Sequence, residues 1–210
     1  QNLRKLYGLD TGIVEGYFQW LGKALRGDLG ISFVYGRPVT EVITDKMWVS
    51  FFLALPAFIL QLLLAVPMGI TSASKQYSKS DYAVTVFAMV GISLPSFFFA
   101  ALLQRIFSMG LGWLPLQGMT TAREDYTGIR HILDMAVHYI LPVTVLTVTG
   151  MGSFMRYTRT NMLEVLQADY IRTARAKGLK KKTVIYRHGF RNTLIPIITI
   201  LGSSLPGLFG

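Results

Sequence analysis

Four long stretches of apolar residues without charge divide the chain, and they lie at 48–70, 82–104, 139–155 and 192–210. A helix must be about 20 residues long to cross the hydrocarbon core of a membrane. The alternative, buried helices of a large soluble protein, is less favoured, because helices of soluble proteins usually keep a polar face and these stretches have none. The pattern therefore predicts an all-helical membrane protein with spans near 48–70, 82–107, 137–155 and 190–210.

Proline interrupts this pattern at several points. Six of the eight prolines fall inside the predicted spans. In hydrocarbon, each one removes a backbone hydrogen bond that neighbouring groups must replace. The segment 91–96 has Ser93 and Ser96 on either side of Leu94 and Pro95, so a helix break is predicted there. Such breaks suit a bundle that changes shape, although ordinary packing of membrane helices explains them equally well.

Charge is distributed very unevenly around the spans. The chain has a net charge of +10, and the segment 156–191 contains ten of its 21 Lys and Arg against Glu164 and Asp169 alone, which leaves +8 there. Loops rich in Lys and Arg stay in the cytoplasm. The basic loops 71–81 and 156–189 are therefore predicted to be cytoplasmic, and the near-neutral loops 1–47 and 108–136 extracytoplasmic. Residues 1–47 form an extracytoplasmic region, with Tyr17 to Leu21 in a short amphipathic helix, and 48–210 the transmembrane core.

The cytoplasmic loop contains a segment that is typical of a short helix. Asp169 can cap its N-terminus and complement the helix dipole. Gly178 can adopt the left-handed conformation that ends a helix, and Arg175 and Lys177 lie in the last turn, where cations are favoured. Ala174 and Gly178 are four residues apart, so their small side chains would let another surface approach closely.

This loop carries a resemblance to a known family. The segment 169–202, DYIRTARAKGLKKKTVIYRHGFRNTLIPIITILG, resembles the cytoplasmic loop of permease subunits of ABC importers, in the oligopeptide, dipeptide and nickel branch. Segments 27–32, 36–39 and 93–97 are also similar to that branch. Importers generally have Glu-Ala-Ala where this chain has Arg172-Thr173-Ala174. The peptide branch often has the Arg-Thr-Ala form.

The resemblance implies a fold, a mechanism and partners. It implies a type I permease bundle in a bacterial or archaeal cell membrane, with further spans before residue 1 and after residue 210. The loop helix would sit in a groove of a separate ATPase, with coupling residues Asp169, Tyr170, Arg172, Thr173, Ala174, Arg175, Ala176, Lys177 and Gly178. The implied partners are a second permease subunit, two ATPase subunits that bind ATP and Mg²⁺, and an extracytoplasmic substrate-binding protein. The implied cargo is an oligopeptide or dipeptide, with nickel or a nickel chelate as the alternative.

Uncharged polar residues within the spans are candidates for a substrate path: Gln61, Ser93, Ser96, Thr147, Ser153 and Ser203. Hydrogen bonds between helices would explain each of them equally well. A different class of protein, an ion-coupled carrier or channel, would be expected to have Asp or Glu within the spans, and these have none. The three histidines are far apart and no Walker motif occurs, so we expect no metal site, bound cofactor or catalytic role. A nucleic-acid binder that used the basic loop would be expected to have stacking aromatic residues interleaved with its cations, whereas the spans on both sides hold this loop at the bilayer surface.

Overall fold

The computed structural model describes residues 12–122, 124 and 126–209, so residues 1–11 of the predicted extracytoplasmic region lie outside it. The chain divides into two compact units, Gln1–Phe51 and Phe52–Gly210. In the first unit, helix α1 comprises Ile13–Ala24, and an antiparallel bridge joins Ile31 to Pro38. Helix α2, Val39–Ser74, begins in this unit.

Among its described residues, the second unit contains helices joined by turns and by an irregular stretch over 111–128, and no strand. Its elements are the rest of α2, then α3 (Lys79–Ser93), α4 (Ser96–Leu103) with a π-helical turn (Gln104–Gly110), α5 (Ile129–Gln167), α6 (Asp169–Ala176), α7 (Lys181–Thr183) with a second π-helical turn (Val184–Phe190), α8 (Arg191–Ser204) and a 3₁₀ turn (Pro206–Phe209). Val39–Ser74, Ile129–Gln167 and Lys181–Phe209 are long and apolar enough to cross a membrane. The predicted class, an all-helical membrane protein, is confirmed.

The second predicted span, 82–107, is not one straight helix. It consists of α3 and α4, which are bent by 98° relative to each other. The bend occurs where the sequence predicts a break. Leu94 is extended, at φ −75° and ψ 123°, because the ring of Pro95 disfavours a helical conformation for the residue before it. In contrast, Pro56, Pro67, Pro142 and Pro196 lie inside helices that continue past them.

The helices extend beyond the apolar segments that predict them. Helix α5 continues to Gln167, so the first part of the predicted loop 156–189 is helical. Hydropathy locates the edge of the hydrocarbon layer, whereas backbone hydrogen bonds continue a helix through polar residues. Thr158 and Met162, which lie in this extension, are buried, so it packs against the rest of the unit.

Small residues bring α2 and α3 very close to α5. A Cβ atom at Gly69 would lie 2.6 Å from the Cβ of Thr158, and one at Gly152 would lie 2.6 Å from the carbonyl oxygen of Ala88. Larger residues at these crossings would force the helices apart. Ala65, Ala88, Met151 and Met155 form a buried apolar cluster among the three helices. The core of the unit therefore consists of α5 with α2 and α3 packed directly on its backbone.

Candidate functional site

Helix α6 is separated from the end of α5 by one extended residue. Ala168 has φ −64° and ψ 149°, and it occupies the N-cap position without a side-chain hydrogen bond. The prediction that Asp169 caps the helix is therefore wrong, because Asp169 already lies in the first turn. There its carboxylate still complements the helix dipole, and its Oδ1 accepts a 3.4 Å hydrogen bond from Nη1 of Arg172.

Gly178 follows the helix in the left-handed conformation, with φ 74°, as the sequence predicts. Its N–H donates to the carbonyl of Arg175 at 3.0 Å, and the N–H of Leu179 donates to the carbonyl of Ala174 at 3.4 Å. These bonds satisfy carbonyl groups at the end of the helix. The chain can therefore turn sharply towards α7.

A small apolar core holds α6 against the rest of the unit. Ile171, Ala174 and Val184 are buried together, and Leu166 at the end of α5 packs against them. Ile171 is completely inaccessible to solvent and Ala174 is 6% exposed. The expectation that Ala174 leaves room for another protein surface is therefore wrong, because its side chain faces the interior of this chain.

The opposite side of α6 is exposed and carries three cations, Arg172, Arg175 and Lys177, against one acid, Asp169. The other predicted coupling residues lie there: Asp169, Tyr170, Arg172, Thr173, Arg175, Ala176, Lys177 and Gly178. The Thr173 hydroxyl donates to the carbonyl of Asp169 at 3.0 Å, so this side chain lies along the helix. Next to the helix is a cavity of about 380 Å³ with Arg175 and Lys181 in its wall. This surface therefore carries a net positive charge on a helix whose inner face is anchored.

A buried polar network joins α2, α3 and α5. Nη2 of Arg159 lies 3.2 Å from Oδ2 of Asp81, and Nε of Arg159 donates to the Ser72 hydroxyl at 2.8 Å. The Ser72 hydroxyl donates to Oδ1 of Asp81. The N–H of Tyr77 donates to Oδ2 of Asp81 at 2.9 Å, and the Thr85 hydroxyl donates to Oδ1 at 3.4 Å. Asp81 is 3% exposed and Ser72 is fully buried.

In the sequence, Asp81 and Arg159 belong to two separate basic loops, 71–81 and 156–189, and no motif pairs them. One signal was available, because Asp81 is the only acidic residue in the otherwise basic loop 71–81 and immediately precedes an apolar run. A carboxylate in that position needs a cation or several donors when the helix packs. The network fixes the start of α3 and the end of α2 to the part of α5 that leads to α6.

Two of the predicted path residues make hydrogen bonds between α2 and α5. Nε2 of Gln61 donates to the carbonyl of Leu146 at 2.8 Å, and the hydroxyl of Thr147 donates to the carbonyl of Ala57 at 3.4 Å. Thr147 is buried, whereas Gln61 is part of the wall of a cavity of about 260 Å³ that Ser204 also borders. Of the predicted path residues, Gln61 is the one in this wall.

The structure does not bring the other predicted path residues together at this cavity. Ser93 and Ser96 are exposed on the two sides of the bend between α3 and α4, and Ser153 is exposed on α5. The Ser203 hydroxyl donates to the carbonyl of Ile200 at 2.8 Å, within its own helix. Among residues 12–122, 124 and 126–209, no three His, Asp or Glu side chains converge to form a metal site.

Comparisons with known proteins agree on one family. Residues 65–210 match the family described as "Binding-protein-dependent transport system inner membrane component". The chain is 42% identical to the oligopeptide transport system permease protein AppB of Bacillus subtilis, over 97% of this chain and 64% of that protein. It is 37% identical to a putative peptide permease protein of Brucella ovis, over 97% of this chain and 63% of the relative. It is also 36% identical to the glutathione transport system permease protein GsiC of Pectobacterium atrosepticum, over 99% of this chain and 63% of that protein. The chain thus spans less than two thirds of the length of these relatives.

Proposed function

The chain belongs to the family of binding-protein-dependent transport system inner membrane components, and we propose that it is a pore subunit of an ATP-driven importer of short peptides. It is a multi-pass protein of the cell membrane. The names of the relatives from Bacillus, Brucella and Pectobacterium refer to oligopeptides, peptides and glutathione, and they support a peptide as the substrate class.

The observation that carries this proposal is the construction of α6. Its inner side is anchored through Ile171 and Ala174, and its outer side presents basic residues on a helix that cannot shift freely. A helix held in this way transmits a displacement to α5 instead of absorbing it. The outer side, including Tyr170, Arg172 and Lys177, would dock against a cytoplasmic ATPase. Closure of two ATPase subunits would then move the spans between inward-open and outward-open states.

The remaining partners follow from the same scheme. A second permease subunit completes the pore, and an extracytoplasmic substrate-binding protein delivers the peptide. ATP and Mg²⁺ bind to the ATPase subunits, and this chain performs no covalent chemistry. The positive charge of 156–191 supports a cytoplasmic location of α6, and loops 1–47 and 108–136 then face outwards.

The substrate path would use uncharged hydrogen-bonding groups, because a peptide backbone presents both donors and acceptors. Gln61 is the best candidate in this chain, since its amide lies at the edge of a cavity between α2, α5 and the C-terminal turn. Ser93 and Ser96 at the bend, and Thr147, Ser153 and Ser203, are weaker candidates because they do not border that cavity. Nickel or a nickel chelate remains the alternative cargo.

A charge reversal on α6 tests the coupling role. In the complete complex reconstituted in lipid vesicles, we expect Arg172→Glu to abolish peptide-stimulated ATP hydrolysis and peptide uptake. The change should not unfold the loop, because the side chains of Arg172 and Asp169 are 75% and 95% exposed and such surface pairs add little stability.

Arg187→Glu is the matched control, because Arg187 is also an exposed cation of the basic segment but lies outside α6. This variant should keep both activities. Unchanged uptake in Arg172→Glu would refute the coupling role. Uptake without ATP would favour an ion-coupled carrier or channel, and ATP-dependent uptake of nickel in place of peptide would favour the alternative cargo.

A further inference from the structure

The proposed function makes no use of α1, whose surface is strongly two-sided. We propose that α1 lies flat in the membrane–water interface, with its apolar side in contact with lipid. The proposal concerns a lipid surface and does not depend on the transported substrate. The proposed function enters only in naming the leaflet, which would be the extracytoplasmic one.

The sequence of α1 separates its side chains into two sides. At 3.6 residues per turn, the apolar residues cover a continuous arc of about 160°. These residues are Ile13, Val14, Tyr17, Phe18, Trp20, Leu21, Ala24 and the C-cap residue Leu25. The opposite arc contains Glu15, Gln19 and Lys23 with two glycines.

The apolar side of α1 is open to the surroundings. Ile13 is 93% exposed, Phe18 is 65% exposed and Leu25 is 80% exposed. An apolar surface of this kind is unfavourable in water and usually marks a contact with lipid or with another protein. The polar side needs no such partner, and the Gln19 side chain donates to Glu15 at 3.2 Å along it.

Three observations favour lipid as the occupant. First, α1 and the beginning of α2, a membrane-crossing helix, are parts of the same compact unit, so the bilayer surface is nearby. Second, Tyr17 lies next to Phe18 and Trp20, with ring centroids 5.6 Å and 6.3 Å apart. Aromatic side chains, Tyr and Trp above all, are enriched at the level of the lipid head groups.

Third, α1 is too short to bury its apolar side by crossing the membrane. A helix of 12 residues is about 18 Å long, whereas the hydrocarbon core is about 30 Å thick. Its polar side would also be buried if it crossed the membrane. An orientation parallel to the surface buries the apolar arc and leaves Glu15 and Lys23 in water.

The absence of Cys from this sequence allows a direct test by spin labelling. Val14→Cys and Phe18→Cys place a label on the apolar side, and Glu15→Cys and Gln19→Cys place one on the polar side as matched controls. Each variant is reconstituted as the complete permease complex in vesicles of phosphatidylethanolamine and phosphatidylglycerol. The accessibility of the label to oxygen and to a water-soluble nickel chelate is then measured by electron paramagnetic resonance.

The ratio of oxygen to nickel-chelate accessibility should be severalfold higher at positions 14 and 18 than at 15 and 19. Equal ratios at all four positions would mean that the helix lies in water, and the proposal would be wrong. Shielding of positions 14 and 18 from both reagents would identify a protein partner and would also overturn it. Neither result would bear on coupling through α6, since Arg172→Glu tests that separately.

Discussion

Replacing Arg159 with Met should destabilise the protein more than replacing its partner Asp81 with Asn, although both changes remove the same ion pair. The side chain of Asp81 is only 5% exposed, whereas that of Arg159 is 28% exposed. In Arg159→Met, a buried carboxylate loses its cation and cannot reach water. In Asp81→Asn, the guanidinium keeps access to solvent, and the new amide can still accept from the N–H of Tyr77.

The two costs differ enough to be measured. Leaving a buried charge without its partner costs about 3–5 kcal/mol. Losing a hydrogen bond to a charged group that remains partly solvated costs about 1.5–3 kcal/mol. A difference of about 1.4 kcal/mol corresponds to a tenfold change in the unfolding equilibrium. The double variant, Asp81→Asn with Arg159→Met, should recover part of the stability, because no uncompensated charge remains.

Thermal unfolding of the protein in nanodiscs measures these differences. Arg156→Met is the control, because Arg156 is an exposed cation one turn earlier on α5. It should leave the midpoint of unfolding nearly unchanged. If Asp81→Asn and Arg159→Met lower the midpoint equally, and the double variant loses the sum of both, the network does not act as a buried charge pair and the reasoning fails.

Three further changes test the packing and the site. Gly152→Ala should lower the unfolding midpoint, at a cost of about 1–3 kcal/mol, because its Cβ would lie 2.6 Å from the carbonyl oxygen of Ala88. Gly202→Ala is the control and should leave the midpoint unchanged, because no atom lies within 4 Å of its Cβ. Gly178→Val should reduce peptide-stimulated ATP hydrolysis and Gly178→Asn should largely retain it, since Asn tolerates the left-handed conformation better than a β-branched residue. Equal rates of ATP hydrolysis in the two variants would contradict this. Gln61→Leu should reduce peptide uptake while shifting the midpoint little, because hydrogen bonds between membrane helices contribute about 0.6 kcal/mol on average; unchanged uptake would remove Gln61 from the path.

The helical membrane class and the family could be predicted from the sequence. Long uncharged stretches have few alternatives to a membrane helix, and the predicted resemblance to ABC importer permeases of the peptide branch is confirmed by the family match over residues 65–210. Coupling through α6 and the path residues stay predictions.

Features that depend on packing could not be predicted in the same way. Pro95 and Pro142 both lie in apolar stretches, yet the chain bends sharply before one and remains helical at the other. Neighbouring helices decide whether a lost backbone hydrogen bond is tolerated. Ala174 faces inwards because Val184 packs against it, and the pairing of Asp81 with Arg159 joins residues far apart in the sequence. Such contacts become visible only when the helices are assembled.

The length of α5 has a mechanical consequence. Its 39 residues make a rod about 58 Å long, nearly twice the thickness of the hydrocarbon layer. Pro142 removes a backbone hydrogen bond in the N-terminal half of α5, so bending would concentrate there. The segment from that point to Gln167 is about 37 Å long, and a 10° swing would carry its tip through about 6 Å. A small rotation within the bilayer thus displaces the C-terminal end of α5 by about the pitch of one helical turn.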